Sequence, residues 1–263
     1  MRTLVYTICN TAYERFIPMF ILSNVFFNND IDVEIGVSKS KLSEDTEKCI
    51  NMIKNAFPDN IIRIDYNAFV EIDKKYGNTK GKKMQYGTLR WFTEPTIKNE
   101  YVYISDIDII TLEPFTQWHI NKMNSWGGSY DNVVRSNNKQ RLTGLHFSKY
   151  GSFYPINTKH VKNWEANDEI ILKQLVSAKV TINESLNERP VHGFHLSPNR
   201  KMVNENGKPS WGLGVAKPTW ELDEKFKESF SKLINSKIYN EIYLTLEEEM
   251  KNDINAVREY FKI

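Results

Sequence analysis

The chain has 263 residues, of which 40% are hydrophobic and 26% are charged, and its formal net charge is +2. This composition is that of an ordinary globular protein with enough residues to bury a sizeable core, which excludes a disordered chain. Basic and acidic residues are interspersed along the sequence, so its electrostatics predict no nucleic-acid partner.

The first half of the chain alternates predicted strands with predicted helices. Strands are predicted from β-branched and aromatic runs, and helices from apolar residues that recur at three and four positions. The strands cover 4–9, 31–37, 61–64 and 101–104, and the helices cover 13–27, 43–57 and a shorter segment around 88–92. Pro18 fits the first turn of its helix, and Ser43 is a candidate N-cap. The alternation predicts a mostly parallel sheet with crossover helices.

The pattern changes after residue 110. Glycine-containing strands are predicted at 126–130 and 142–147, followed by a helix over 168–176 and a late strand over 191–196. From about residue 219 the sequence is rich in Lys, Glu and regularly spaced aliphatic residues, which predicts two amphipathic helices over 222–234 and 239–261. We therefore expect one α/β domain over residues 1–218 and a helical appendage over 219–263 that packs on it.

The cysteine content and the hydropathy of the sequence favour the cytoplasm as the compartment of this protein. Cys9 and Cys49 are the only two cysteines and lie far apart, which argues against a disulfide framework and excludes a sulfur-based metal cluster. The amino-terminal apolar stretch is too short for a signal peptide, and no segment approaches the ~18 uninterrupted apolar residues of a membrane span. We expect a cytoplasmic protein without a transmembrane segment, and leave open peripheral contact with the inner face of the membrane.

Two carboxylates, Asp106 and Asp108, follow the predicted buried strand at 101–104. Open α/β sheets bind ligands at the carboxyl ends of their strands. On an extended chain alternate residues point the same way, so both carboxylates can converge on one cation while Ile107 points into the protein. Hard oxygen ligands suit Mg²⁺ or Mn²⁺, particularly when phosphates complete the coordination. The alternative is that the carboxylates cap the next turn, and we favour the metal site.

Two later segments also carry candidate functional groups. His192 and His195 stand three residues apart, close to Arg200 and Lys201, which favours a site for an anion and a metal. A single histidine in a strand is more often structural. Asp168 opens a predicted helix, where capping and the helix dipole also favour an acid, so a structural and a functional role have equal weight there.

Five spaced motifs resemble a known family. They are Thr7-Ile8-Cys9-Asn10-Thr11-Ala12-Tyr13, Arg90 at sixteen positions before Asp106, Thr143-Gly144-Leu145-His146-Phe147, Asp168-Glu169-Ile170-Ile171-Leu172, and the segment from His195 to Lys201. Together with Asp106 and Asp108 they resemble GT-A-type nucleotide-sugar glycosyltransferases, most closely the glycogenin-like and lipopolysaccharide galactosyltransferase-like family. The resemblance runs from the first strand to about Lys201. Thr11 and Pro198 depart from the family pattern, which usually has Asp and Gly at these positions.

The resemblance implies a GT-A (Rossmann-like) fold, in which a mixed, mostly parallel sheet is flanked by helices. It also implies that the first strand and its turn hold the nucleotide of the donor. Tyr13 would stack on the base, and the residues that shape the base pocket would be Thr7, Cys9 and Asn10. Arg90 would contact the donor from its helix.

The implied metal is Mn²⁺ or Mg²⁺, held by Asp106, Asp108 and His195, with His192 as the competing histidine. Lys201 would bind the donor phosphates. The implied reaction moves a sugar from a nucleotide-diphosphate donor, a UDP-sugar by preference, to a hydroxyl of a glycan or glycoconjugate acceptor. If transfer inverts the anomeric centre, Asp168 is the first candidate for the general base. If transfer retains it, as the resemblance implies, the acid would only orient the sugar.

Two other functions remain as alternatives. A sugar nucleotidyltransferase shares the sheet and the paired acids, but it should open with a glycine-rich, arginine-containing phosphate loop, and residues 7–18 contain no glycine. A noncatalytic or degenerate protein that binds a carbohydrate or a nucleotide would keep the acids for a cation alone. Residue identity does not distinguish this second alternative from an enzyme.

Overall fold

Twelve strands are assigned in the part of the chain that is described. The computed structural model describes residues 1–70, 72, 86–136, 138–164, 166–186, 192–196, 202–203, 209–211 and 223–263. The strands are, in chain order, β1 (Thr3–Cys9), β2 (Ile31–Val37), β3 (Ile62–Asp65), β4 (Tyr101–Ile104), β5 (Ile109–Thr111), β6 (Tyr130–Asp131), β7 (Val134–Arg135), β8 (Asn138–Leu142), β9 (His146–Lys149), β10 (Gly193–His195), β11 (Met202–Val203) and β12 (Pro209–Trp211).

Six of these strands form the central sheet, in the order β3-β2-β1-β4-β9-β6. The strands from β3 to β4 run parallel to one another, whereas β9 is antiparallel to β4 and β6 is antiparallel to β9. Every residue of β1, β2 and β4 is buried, as expected for parallel strands that are covered on both faces. The predicted α/β class, with a mixed and mostly parallel sheet flanked by helices, is confirmed.

Helices cover both faces of the sheet. They are, in chain order, α1 (Ile17–Phe27), α2 (Glu44–Ala56), α3 (Tyr86–Leu89), α4 (Thr116–Ser125), α5 (Tyr150–Phe153), α6 (Asp168–Ser177), α7 (Lys227–Ile234), α8 (Lys237–Tyr243) and α9 (Glu248–Phe261). Helix α1 lacks a polar face, and its residues from Ile17 to Val25 are all buried, which is typical of a helix inside the core. Within the described ranges, no helix has the length and apolar character needed to cross a membrane.

The predicted start of α1 at residue 13 is wrong. A short 3₁₀ helix, Thr11–Phe16, precedes α1, and Asn10 caps it by accepting a hydrogen bond from the Ala12 amide. An α-helix through this region would need an amide hydrogen on Pro18 to reach the Glu14 carbonyl, and proline has none. The Ile17 amide donates to Glu14 instead, which closes the tighter 3₁₀ turn.

The predicted strands at 126–130 and 142–147 are only partly correct. The chain at Trp126 ends helix α4, and Gly127 then adopts a φ of +70°, which glycine tolerates without strain. Pairing begins only at Tyr130, in the two-residue strand β6. The second prediction merges two strands, because β8 ends at Leu142 and β9 begins at His146. A three-residue turn that contains Gly144 lies between them.

The C-terminal helices belong to the same buried cluster as the central sheet, since this cluster includes Phe230 and Phe261 together with Val5 of β1 and Val33 of β2. Phe230 of α7 and Phe261 of α9 contact Phe194 of β10, with ring centroids 5.5 and 5.9 Å away, and all three side chains are buried. The single helix predicted over 239–261 is wrong, since α8 ends at Tyr243 and α9 begins at Glu248. The turn between them buries Leu246. The division of the chain at residue 218 remains a prediction.

Replacing Phe230 with Ala should destabilise the whole protein by about 3–5 kcal/mol, because it leaves a cavity beside Phe194 under the sheet. We expect one unfolding transition in urea, followed by tryptophan fluorescence and by helical circular dichroism, at a lower midpoint. The control Leu244→Ala removes a side chain that is 81% exposed and should leave the midpoint unchanged. A separate early helical transition, with the fluorescence midpoint unmoved, would contradict a shared core.

Candidate active site

The loop that follows β4 carries the two predicted metal ligands. The amide of Ser105 donates to the Tyr6 carbonyl of β1, which fixes the loop at the carboxyl end of two parallel strands. The expectation that the Asp pair lies on an extended backbone is wrong. The Ile109 amide donates to the Asp106 carbonyl at 3.3 Å, which closes a turn. Ile107 is buried, as expected, with 7% of its surface exposed.

Pairing of β5 with β10 brings His195 to this turn. His195 lies opposite Ile109 in the antiparallel register, and the Leu196 amide donates to the Asp108 carbonyl at 2.6 Å. The His195 Nε2 atom lies 4.0 Å from an Asp106 carboxylate oxygen and 4.0 Å from one of Asp108. Asp108 and His195 are largely buried, whereas the Asp106 side chain is 34% exposed, so the cluster opens to solvent on the side of Asp106.

The donor atoms of this cluster fit a hard divalent cation in chemistry. Donors about 2.1 Å from an octahedral ion stand about 3 Å apart when adjacent and about 4 Å apart when opposite. His195 Nε2 is 4.0 Å from both the Asp106 and the Asp108 oxygen, and since only one donor can lie opposite it, at least one of these carboxylates would have to come about 1 Å closer. In the described ranges, no group of three His, Cys, Asp or Glu side chains is arranged so that it could hold a metal ion. Binding of a cation by Asp106, Asp108 and His195 would therefore require these side chains to move closer together.

His192, the competing histidine, lies in a different environment. Its Nδ1 atom is 3.0 Å from Glu113 Oε1, and its Nε2 atom is 3.2 Å from His119 Nε2. His119 in turn lies 2.7 Å from Asp131 and is completely buried. Burial, together with the neighbouring His192 and Lys122, lowers the pKa of His119 well below its usual value. The geometry therefore favours His195 over His192 as the histidine of the Asp pair.

We predict that His195→Ala weakens Mn²⁺ binding by about tenfold or more, because it removes a nitrogen beside both carboxylates. His192→Ala should leave Mn²⁺ affinity close to that of the wild type. Isothermal titration with Mn²⁺ in the presence of UDP, at matched folded fractions, measures both variants. A larger loss in His192→Ala would move the ligand to the other histidine.

Arg90 joins Asp106 to two other predicted parts of the site. It follows helix α3, and 3% of its surface is exposed. Its Nη1 atom donates to Asp106 at 2.5 Å, and its Nη2 atom donates to Asp168 at 3.1 Å and to the Gly144 carbonyl at 3.3 Å. The guanidinium also lies 4.4 Å from the ring centre of Trp91. Arg90 thus holds three distant segments together, whereas the family resemblance implies only a donor contact for it.

Asp168 is not the N-cap of helix α6, a role that the sequence alone left open. The cap of α6 is Asn167, whose side-chain oxygen accepts from the Glu169 amide at 3.0 Å. Burial raises the pKa of the Asp168 carboxyl, Asp106 and Glu169 raise it further, and Arg90 opposes this rise. Asp168 therefore lies close to the metal candidates as a partly buried carboxylate with raised proton affinity.

Glu169 is a component of the site that sequence reasoning missed. It is buried, and it accepts hydrogen bonds from Arg135 Nε at 3.0 Å and from Arg141 Nε at 2.9 Å. Arg135 ends β7 and Arg141 lies in β8, so Glu169 anchors both strands of this hairpin to the start of α6. A side chain added at Gly144 would meet Arg90 at 3.3 Å and Glu169 at 3.7 Å. The sequence has no local signal for these contacts, because Arg135 and Arg141 lie 34 and 28 residues before Glu169.

The predicted base pocket begins where β1 ends, next to the Asp turn. Thr7 and Cys9 are buried, and burial raises the pKa of the Cys9 thiol to about 12, so it is a neutral group. Asn10 uses its side chain to cap the 3₁₀ helix. Tyr13 is half-buried and packs on Phe16 with ring centroids 5.6 Å apart. Lys201, the predicted phosphate ligand, lies outside the described residues.

Comparison with known proteins gave structural matches only. No protein-family model matches the chain, and no curated protein matches its sequence. The glycosyltransferase GlyE of Streptococcus pneumoniae matches 68% of this chain with 13% identity and a TM-score of 0.43. The galactosyltransferase LgtC, solved with donor and acceptor sugar analogues, matches 66% of this chain and 70% of its own, with 10% identity and a TM-score of 0.42. TarS of S. aureus matches 97% of this chain and 72% of its own, with 10% identity and a TM-score of 0.43.

The chain spans 44% of the GlyE structure, which is less than half of that protein. At these identities the likenesses concern the course of the backbone.

Proposed function

We propose that this protein is a metal-dependent glycosyltransferase that moves a sugar from a UDP-sugar to a hydroxyl of a glycan or glycoconjugate. One observation carries the proposal: segments far apart in sequence bring Asp106, Asp108, His195, Arg90 and Asp168 to one edge of the sheet. Asp106 joins the two halves of this cluster, because it pairs with the buried Arg90, which also holds Asp168, and lies 4.0 Å from His195, which is equally close to Asp108. The cytoplasm is the proposed compartment, and both cysteines are free and buried.

The donor would lie across the carboxyl edge of β1 and β4. Asp106, Asp108 and His195 would hold Mn²⁺ or Mg²⁺, and a diphosphate would complete the coordination from the side of Asp106, whose side chain is 34% exposed. When bound, the cation would supply electrostatic stabilisation of the leaving nucleoside diphosphate. Tyr13 would stack on the base, with Thr7, Cys9 and Asn10 around it, and Lys201 would contact the phosphates.

Arg90 would hold the two acidic groups of the site at a fixed separation. Its Nη1 atom donates to Asp106, which would bind the cation, and its Nη2 atom donates to Asp168, which would lie beside the sugar. Asp168 would accept the proton of the acceptor hydroxyl if transfer inverts the anomeric centre. Under retention, which the family resemblance favours, Asp168 would orient the transferred sugar through its hydroxyls. The raised pKa of Asp168 suits either role, because it increases the carboxylate's affinity for a shared proton.

A panel of nucleotide sugars with Mn²⁺ tests this function. The wild type should hydrolyse at least one UDP- or GDP-linked donor slowly, or be stabilised by it against heat, and chelation of the metal should remove the effect. Binding of a donor without any turnover, even with glycan acceptors present, would instead support a noncatalytic binding protein. If no donor binds and none is hydrolysed, the glycosyltransferase proposal is wrong.

A further inference from the structure

Four titratable side chains that the proposed reaction does not use form a continuous row inside the protein. Asp131 Oδ2 lies 2.7 Å from His119 Nδ1, and the Nε2 atom of this histidine faces His192 Nε2 at 3.2 Å. The Nδ1 atom of His192 in turn lies 3.0 Å from Glu113 Oε1. The row joins strand β6, helix α4, the residue before β10 and the segment that follows β5.

The row is buried at one end and reaches solvent at the other. His119 and Asp131 are completely buried, and His192 has 6% of its surface exposed. The His119 ring also stacks on Phe147 of β9, with ring centroids 4.3 Å apart. The Glu113 side chain is 36% exposed, so it connects the row to solvent. At the buried end, a hydrogen bond that is lost inside the row is costly.

The three contacts of this row need one hydrogen atom each. Every contact joins two nitrogen or oxygen atoms at hydrogen-bond distance, so a hydrogen has to lie between them. Two ionised carboxylates bring no hydrogen, and two neutral imidazoles bring one each. With only these two hydrogens, one contact would set two lone pairs against each other. The row is therefore complete only when it holds one further proton.

The surroundings favour this proton at the Asp131 end. Burial raises the pKa of Asp131 to about 6, although Lys122 and His192 oppose the rise. Its second oxygen, Oδ1, has no hydrogen-bond partner among the described residues and lies 3.8 Å from Lys122 Nζ. Burial also lowers the pKa of His119 well below its usual value, with a further contribution from His192 and Lys122, so this imidazole is neutral.

The other end of the row carries the negative charge. Burial raises the pKa of Glu113, but its hydrogen bond with His192 and the charge of Lys225, 3.6 Å away, outweigh this and leave the pKa below its usual value. Two other titratable side chains near the row, Tyr130 and His146, are neutral. Burial raises the pKa of the tyrosine and lowers that of the histidine to about 3.

We propose that this row is a pH-sensitive lock, which binds one proton beyond those of its two neutral imidazoles and then holds β10 and α4 together. In the protonated form all donors point the same way. The Asp131 hydroxyl donates to His119 Nδ1, His119 Nε2 donates to His192 Nε2, and His192 Nδ1 donates to Glu113. Loss of the proton leaves one contact without its hydrogen, so the lock weakens as pH rises. The proposal goes beyond the proposed function, because it involves neither a donor nor a metal.

Comparison with Asp131→Asn tests the lock by equilibrium unfolding in urea. The asparagine amide keeps an N–H group for His119 but cannot titrate. A carboxyl whose pKa is about 6 in the folded protein and about 3.9 in the unfolded chain stabilises the fold at low pH, and this contribution is lost as pH rises through about 6. The folding equilibrium constant of the wild type, divided by that of the variant, should therefore fall by about tenfold between about pH 5 and pH 7.5. The matched control Asp59→Asn changes an exposed aspartate, and the corresponding ratio should vary by less than about twofold.

Nuclear magnetic resonance of the wild type with isotopically labelled histidine gives a second test that needs no variant. At about pH 5, His119 and His192 should each carry one hydrogen, and a scalar coupling across the Nε2–H···Nε2 hydrogen bond should join the two rings. If the stability ratio does not change with pH, or if both Nε2 atoms lack a hydrogen, the lock does not exist. A ratio that falls with pH without any coupling between the rings would place the proton outside the histidine pair, and it would equally contradict the shared row.

Discussion

Replacing Arg90 with Met should destabilise the protein by about 3–5 kcal/mol and abolish activity, because it leaves Asp106 and Asp168 without the guanidinium that pairs with both of them. Methionine fills much of the space of the arginine stem but offers no charge. Equilibrium unfolding in urea at neutral pH measures the loss of stability. The matched control Arg63→Met removes an exposed arginine of β3 and should change the free energy of unfolding by less than about 0.5 kcal/mol.

The stability of Arg90→Met should depend on pH in a defined direction. The pKa of Asp168 is already raised by burial, and loss of Arg90 removes the group that lowers it. The folded state would then bind more protons than the unfolded state at pH values between about 3.9 and the raised pKa. The free energy of unfolding of the variant should therefore fall as pH rises through this window and recover on acidification. If the variant's free energy of unfolding stays below that of the wild type by a constant amount across this window, loss of the Arg90–Asp168 pair is not the cause of the difference.

Asp108→Ala should lower donor hydrolysis by about a thousandfold, because the account assigns to this carboxylate a direct share in holding the catalytic cation. Turnover of the best donor from the panel, at saturating Mn²⁺, gives the measurement. The control Asp59→Ala removes an exposed aspartate that precedes β3, and it should leave turnover unchanged. If Asp108→Ala stays folded and retains turnover within about tenfold of the wild type, Asp108 is not a ligand of the catalytic metal.

Local patterns predicted the sheet because each strand carries its own signal. The β-branched and aromatic runs predicted β1, β2 and β4 to within one residue of their observed bounds. Predictions failed where a neighbour in space determines the structure. Strand β6 is only two residues long and is defined by pairing with β9, which its own sequence does not encode. The break between α8 and α9 similarly depends on burial of Leu246 in the shared core.

The sequence predicted which residues belong to the candidate site better than it predicted the contacts between them. The sequence showed that Asp106 and Asp108 end a buried strand, but only the β5–β10 pairing shows that His195, and not His192, comes within 4.0 Å of both. The position of Arg90 was suggested by family spacing, yet its contact with Asp168 spans 78 residues of sequence and has no local signal. Glu169 was missed for the same reason, since its arginine partners lie on a separate hairpin.

The central claim is that Asp106, Asp108 and His195 are the metal half of a nucleotide-diphosphate site. Titration of the wild type with Mn²⁺ in the presence of UDP, followed by the electron paramagnetic resonance of free Mn²⁺, tests it most directly. We predict UDP-dependent binding of a single Mn²⁺, weakened by about tenfold or more in Asp106→Asn and in Asp108→Asn. Mn²⁺ binding that is independent of UDP, or that is as strong in both variants as in the wild type, would contradict this assignment.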